Sequence, residues 1–172
     1  VVTVVDDKAH YYPGAGSFII KMIADRASHR LLGIQVLGKG AVDKVVDIAV
    51  TAISMKATLE DLQTMDFSYA PPFSTAIHPF EHTVNVMLNK LSGGFETITP
   101  AAFEDGAAEG YKIIDSAINP TIRGASFVNL TEVEGPVEGL AKDEKLLLVC
   151  AKGKRAYMLQ NRLKYYGYTG TK

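Results

Sequence analysis

The sequence predicts an α+β unit followed by an α/β unit built on a parallel sheet. Three observations carry that prediction. Val- and Ile-rich segments alternate with turn signals and then give way to amphipathic helical spacing over residues 1–92. "SGGFETITP" (residues 92–100) then breaks the pattern with two adjacent glycines and a Thr-rich stretch. Beyond it, short strand-like segments alternate with helical ones, and "KLLLV" (residues 145–149) is apolar apart from its first residue, like a strand buried on both faces.

The elements follow in order. Val1–Val5 and Ser17–Ala24 read as strands, separated by the turn "HYYPGAGS" with Pro13 and two glycines. Leu31–Gly38 is a third strand. Apolar residues at Val45, Ile48, Ala49, Ala52 and Ile53 predict a helix over residues 42–55. Thr58 with Asp61 three positions later marks a capped helix start. Pro71 and Pro72 keep "YAPPFS" out of helix and central strand, and a further helix runs from about Pro79 to Leu91. In the second unit the reading is a short helix over 100–109, a strand at Tyr111–Asp115, and a strand at "ASFVNL" (125–130). A short helix follows "VEGPVEGL", then the apolar strand 145–149 and an amphipathic helix over 154–166.

Composition removes several function classes. Of 172 residues, 47% are hydrophobic and 22% charged, the balance of a globular protein. A net charge near −1 excludes a generally basic nucleic-acid binder, so no nucleic-acid partner is expected. One cysteine can form no intrachain disulfide and no zinc site needing two thiolates. That usage fits a reducing, cytoplasmic setting, and no apolar run reaches the roughly 18–20 residues of a membrane span. The chain starts without Met, as if in mid-strand, and is expected to be a piece of something longer.

The lone Cys150 closes the apolar strand just before a helix. In parallel sheets ligands bind beyond the carboxyl ends of strands, where helix N-termini present unpaired N–H groups. Lys152, Lys154 and Arg155 add positive charge, and Gly153 lets the loop curl. This setting favours a nucleophilic thiolate, although a lone Cys in that place also reads as a small buried hydrophobe.

"CAKGKR" resembles the active loop of rhodanese-type sulfurtransferases, Cys-x-x-Gly-x-Arg on a strand-to-helix turn. "TITPAAFEDG", "YKIID" and "IRGASFVNL" resemble that family's opening helix, acidic-ended strand and following segment. The resemblance implies a rhodanese-like domain over residues 97–172, incomplete at its C-terminus. It implies that Cys150 is catalytic and carries sulfane sulfur as a persulfide. Lys152, Gly153, Lys154 and Arg155 would then bind the substrate. Cysteine phosphatases place five residues between Cys and Arg; here there are four, a smaller loop suited to one sulfur atom. The family's Asp-x-Arg is absent, since Asp115 is followed by Ser116 and Ala117, and Arg123 stands where a Pro is usual.

"HYYPGAG", "LLGIQVLGKGAVDKVVDIAVTAI", "TLEDLQTMDFSYAPPFS" and "HTVNVM" resemble a second module. It is the dimerisation domain of flavin-dependent pyridine nucleotide-disulfide oxidoreductases, in the coenzyme A-disulfide reductase and NADH oxidase branch. This resemblance covers residues 1–92 and implies a homodimer. The full-length enzyme would use FAD and NAD(P)H to reduce coenzyme A-linked or other small disulfides, persulfides or polysulfides. The flavin and NAD domains would precede this region, so no cofactor is expected on the fragment itself. Tyr11, or its neighbour Tyr12, and Tyr69 are implied to reach a partner's active site as catalytic phenols. Their plainer reading is packing at a turn and in a proline-rigid loop.

Other patterns carry less. "GAGSF" matches too few positions of a dinucleotide fingerprint and leads into a strand. "HPFEH" satisfies a zinc-protease expression, but Pro79 makes His78 a helix cap, so no metal is expected. The basic and aromatic residues of 152–168 read as one solvated helix face. Two other functions remain open: a stand-alone thiosulfate or persulfide sulfurtransferase, and a non-catalytic dimerisation or interaction module.

Overall fold

The computed structural model describes residues 1–172, which divide into Val1–Ser92 and Gly93–Lys172. In the first unit, β1 (Val2–Asp6), β2 (Ser17–Ala24) and β3 (Leu31–Gly38) form an antiparallel sheet in the order β1-β2-β3. Strand alternation puts Phe18, Ile20 and Met22 of β2 inside, with Ile19 and Ile23 left on the open face. Two long helices complete the core. α1 (Val42–Ser54) contributes Val45, Ala49 and Ala52, and α3 (Pro79–Leu91) contributes Phe80, Val84 and Met87. Thr83 of α3 and Thr3 of β1, both buried, share a hydroxyl–hydroxyl bond of 2.8 Å, so each satisfies the other.

The short α2 (Leu59–Gln63) forms because its start is capped twice. Thr58 accepts from the Asp61 amide, and the Asp61 carboxylate accepts from the Thr58 amide. Leu59 and Leu62 are then fully buried.

The second unit holds α4 (Pro100–Glu104), β4 (Lys112–Asp115), β5 (Ser126–Phe127), a 3₁₀ turn at Leu130–Glu132, β6 (Leu146–Val149) and α5 (Lys154–Tyr165). Its sheet is parallel, in the order β5-β4-β6, and registers Asp115 against Val149 and Phe127. Leu146 and Leu148 face Ile114 and the buried side of α5, Leu159 and Leu163. Gly170–Lys172 run beside β6, exchanging backbone bonds with Leu146 and Leu148. Gln160 on α5 is buried with every polar atom engaged. Its carboxamide donates to the Glu96 and Thr171 carbonyls and accepts from the Glu96 amide, tying both ends of the unit to one helix.

The sequence reading is corrected at three places. The helix expected over 100–109 ends at Glu104, because its cap closes at Asp105 and Gly106 adopts a left-handed φ of 87°. The strand expected at "ASFVNL" pairs only at Ser126–Phe127, because Asn129 turns its side chain to the Thr131 amide and starts the 3₁₀ turn. No helix follows "VEGPVEGL"; residues 133–145 are irregular, held by the buried Tyr168 hydroxyl, which accepts from the Val137 amide at 2.8 Å. No helix is long and apolar enough to cross a membrane.

His78 is 4% exposed and caps α3 by accepting the Phe80 amide on Nδ1, with its ring 4.9 Å from Phe67. Burial first, then the nearby Lys44, lowers its pKa from 6.5 to about 4. The unfolded chain therefore binds more protons than the folded one between those values. Stability should be full above about pH 6.5 and fall as pH drops towards 4. The loss should total roughly 1–2 kcal/mol across the window, about half the unscreened linkage value. Urea midpoints at pH 7 and pH 5 will show it; His78→Asn, which keeps an acceptor at the cap, should flatten that part of the dependence. Gln160→Leu should cost about 2–3 kcal/mol in the second unit's transition, because the Glu96 and Thr171 backbone groups lose their partners.

Candidate functional site

The thiol loop is assembled at the carboxyl edge of the second sheet. Leu146–Val149 ends there because Cys150 leaves the ladder. Gly153 then takes φ +78° and ψ −24° as the residue before α5, a conformation that costs glycine little. That reversal turns the helix start towards the thiol. The Ala156 amide donates to Cys150 Sγ at 3.4 Å, and Cys150 is half-buried. A free helix-terminal N–H aimed at sulfur stabilises negative charge on it. Lys152 and Lys154 lie on the exposed side of the loop.

Arg155 is placed differently from the lysines. Its guanidinium runs across the carboxyl edge, with Nε donating to the Ser116 carbonyl at 2.7 Å and Nη2 to Asn129 Oδ1 at 3.3 Å. Ser116, fully buried, also donates its amide and its hydroxyl to the Val149 carbonyl, at 2.9 and 3.1 Å. One residue therefore holds both ends of the Cys150 loop, the strand end through Val149 and the helix start through Arg155. Behind it, the buried Asp115 carboxylate accepts from the Ala117, Thr121 and Ile122 amides at 2.9–3.2 Å. Those bonds, the Ala117 one first, hold its carboxyl below the usual range and keep it a closed loop anchor. Ser116 and Asn129 were missed by the motif reading. The signal available was position alone: Ser116 directly follows β4, the neighbour of the thiol strand, and Asn129 lies two residues past the end of β5.

The first unit brings the two tyrosine-bearing loops together. The Ala9 amide donates to the Pro71 carbonyl at 3.3 Å, joining the turn that holds Tyr11 to the loop that holds Tyr69. The turn is closed by Tyr12 donating to Ala9 and Ala15 to Tyr12, and it is pinned by the Gly16 amide on Asp7 Oδ1 at 2.7 Å. The proline loop is closed by the Phe73 and Ser74 amides on the Ala70 carbonyl. Tyr11 is 67% exposed and Tyr69 51% exposed, so neither phenol is used in this unit's core. Tyr11 stacks obliquely on Tyr12 at 5.4 Å and edge-on to His10 at 5.5 Å.

The zinc-like "HPFEH" is accounted for by the helix cap, since His78 Nδ1 is committed to Phe80. No group of three His, Cys, Asp or Glu side chains is placed to hold a metal ion. Nor do the residues form a dinucleotide cradle: Gly14 and Gly16 lead into β2, an antiparallel strand, and not into a helix.

Residues 2–79 match the family described as pyridine nucleotide-disulphide oxidoreductase, dimerisation domain. The "NAD(P)H sulfur oxidoreductase (CoA-dependent)" of Pyrococcus furiosus is 36% identical over 72 residues, which is 42% of this chain and 16% of that protein. Two solved structures align along the whole chain. One, titled "Crystal structure of reduced Bacillus anthracis CoADR-RHD", has a TM-score of 0.90 at 29% identity, and the alignment takes in 32% of it. The other, titled "Structure of a NAD-Dependent Persulfide Reductase from A. fulgidus", has a TM-score of 0.86 at 30% identity, again over 32% of its length. The chain thus spans about a third of those structures and less than a fifth of that relative. On the family match and these relatives, residues 2–79 are similar to the dimerisation region of pyridine nucleotide-disulfide oxidoreductases.

Proposed function

We propose that this chain is part of an FAD- and NAD(P)H-dependent reductase of coenzyme A disulfide, persulfide or polysulfide, in which a rhodanese-like second unit carries sulfane sulfur on Cys150. The single observation behind the second half is the Ala156 amide on Cys150 Sγ, at the head of a helix and the carboxyl edge of a parallel sheet. The relatives' printed names support the first half, and the full-length alignment with a persulfide reductase supports joining the two.

The chemistry needs little beyond that geometry. With thiosulfate as donor, the Cys150 thiolate attacks the sulfane sulfur and forms a new S–S bond. The original S–S bond breaks, and its electron pair leaves with sulfite. The terminal sulfur of the resulting persulfide carries negative charge, which the Ala156 amide and the cations of the loop stabilise. An acceptor thiolate then attacks that terminal sulfur, forming its own persulfide and returning Cys150 as thiolate. Lys152, Lys154 and Arg155 attract anionic donors and the phosphates of coenzyme A.

FAD, when bound elsewhere in the enzyme, supplies the electrons for disulfide reduction. The residues of this chain form no dinucleotide cradle for it, since Gly14 and Gly16 lead into an antiparallel strand. Their contribution to that half is Tyr11 and Tyr69, exposed phenols on joined loops, which would reach a second copy in a homodimer and donate to a departing thiolate.

Two measurements test the proposal. Incubation with thiosulfate followed by intact-protein mass spectrometry should show one added, reducible sulfur atom, absent in Cys150→Ser. No added sulfur on the wild type would leave the thiol a packing residue and overturn the sulfur-carrier reading. In the full-length reductase, Tyr69→Phe should lower kcat for disulfide reduction by about tenfold or more while electron flow to ferricyanide stays unchanged. Equal loss with both acceptors would assign Tyr69 to the fold.

A further inference from the structure

Resting on the assignment of Cys150 as sulfur carrier, we propose that Asn129 is the positioning residue that sets this site's preference for anionic sulfur compounds. It does so by aiming Arg155 while leaving its charge unneutralised.

Arg155 is anchored at two of its five guanidinium N–H donors, Nε on the Ser116 carbonyl and Nη2 on Asn129 Oδ1. Both of these partners are neutral. A carboxylate in place of the Asn129 amide would still accept from Nη2 but would oppose the field of the guanidinium. The carboxamide is itself fixed, so its orientation is not a matter of chance. Asn129 Oδ1 accepts from the Thr131 amide at 3.3 Å and the Thr131 hydroxyl at 3.0 Å, while Nδ2 donates to Glu132 Oε1 at 2.8 Å. The Glu132 carboxylate therefore lies on the amino side of the amide and the guanidinium on the oxygen side. Asn129 acts as a neutral spacer between a carboxylate and the cation.

The spacer also sets where the cation lies. β5 and β6 flank β4, so their ends, and with them Asn129 and Cys150, stand on either side of Ser116. A guanidinium stretched from α5 past the Ser116 carbonyl to Asn129 runs along that edge, beside the strand end from which Cys150 follows. Its remaining donors suit the oxygens of a thiosulfonate or a phosphate in the bidentate manner that a lysine lacks. The ligand class implied is a sulfur donor or acceptor that carries an oxyanion close to its reacting sulfur.

The test uses two alkylating reagents that differ by one charge, iodoacetate and iodoacetamide. Both react with the same Cys150 thiolate, so the ratio of their rate constants cancels the thiolate fraction and reports the field felt by the incoming reagent. Asn129→Asp keeps an acceptor for Nη2 and adds the charge that the native residue lacks. Its iodoacetate-to-iodoacetamide ratio should fall roughly three- to tenfold, the order of effect of one added unit charge near a half-solvated site. Asn129→Ala, which frees Nη2 and leaves Nε anchored, should lower the ratio less, and Arg155→Met sets the floor. The KM for thiosulfate should rise in the same order, with kcat moved less.

A merely structural role would slow both reagents together and leave the ratio at the wild-type value, and that result overturns the proposal. So would an unchanged ratio in both Asn129 variants alongside a fall in Arg155→Met. If Asn129→Asp fails to fold, the comparison of Asn129→Ala with Arg155→Met still decides the point. Failure of the wild type to gain sulfur, with the ratio falling as described, would refute the sulfur-carrier reading and not the role of Asn129.

Discussion

β4 and β6 pair in parallel with Asp115 opposite Val149, and most of what the second unit can do depends on that register. It makes the next residues, Ser116 and Cys150, emerge side by side at one edge of the sheet. Ser116 can then bond the Val149 carbonyl with both its donors, while its own carbonyl receives Arg155 from the far end of the thiol loop. A slip of one residue would reverse every side chain in the strand and break this closure. The apolar residues of β6 fix the register through the core they share with Ile114, Leu159 and Leu163, so the packing of the unit and the shape of its thiol loop have one cause.

The first unit solves a different problem, that of presenting exposed phenols on loops which do not move freely. Proline fixes backbone torsions at Pro71 and Pro72, the Ala9–Pro71 bond couples two loops distant in sequence, and Asp7 fastens the turn behind Tyr11. His78 organises the start of α3. Its neutral ring caps α3 and packs on Phe67, which also meets Phe80 edge-on at 5.9 Å. Tyr11 and Tyr69 themselves stay exposed, outside this core.

Much of this was legible in the sequence where one physical signal dominated. Period-two and helical spacing placed β2, β3, α1 and α3 closely, and the reciprocal cap at Thr58 and Asp61 identified a five-residue helix that spacing alone would not reveal. Legibility failed where a side chain competed with the ladder for a backbone group. Asn129 ends β5 early in that way, and Tyr168 holds an irregular segment where a helix was expected. Cys150, the loop glycine and the tyrosines were readable as motifs. Ser116 and Asn129 were not, because their importance comes from tertiary neighbours on strands far apart in sequence, and short polar residues after a strand are ordinary punctuation.

Gly153 carries a last consequence. A side chain built on it would meet nothing within 4 Å, so the space around the loop is open. The restriction there is torsional alone: φ +78° lies in the left-handed region, which costs an ordinary L-residue roughly 1–2 kcal/mol. Evolutionary drift at this position is therefore filtered by handedness and not by size. Asparagine, which visits that region more readily, is the natural second choice. Most other replacements would either bear that strain or let the helix start swing away from the sulfur, a loss of aim that packing alone would not register.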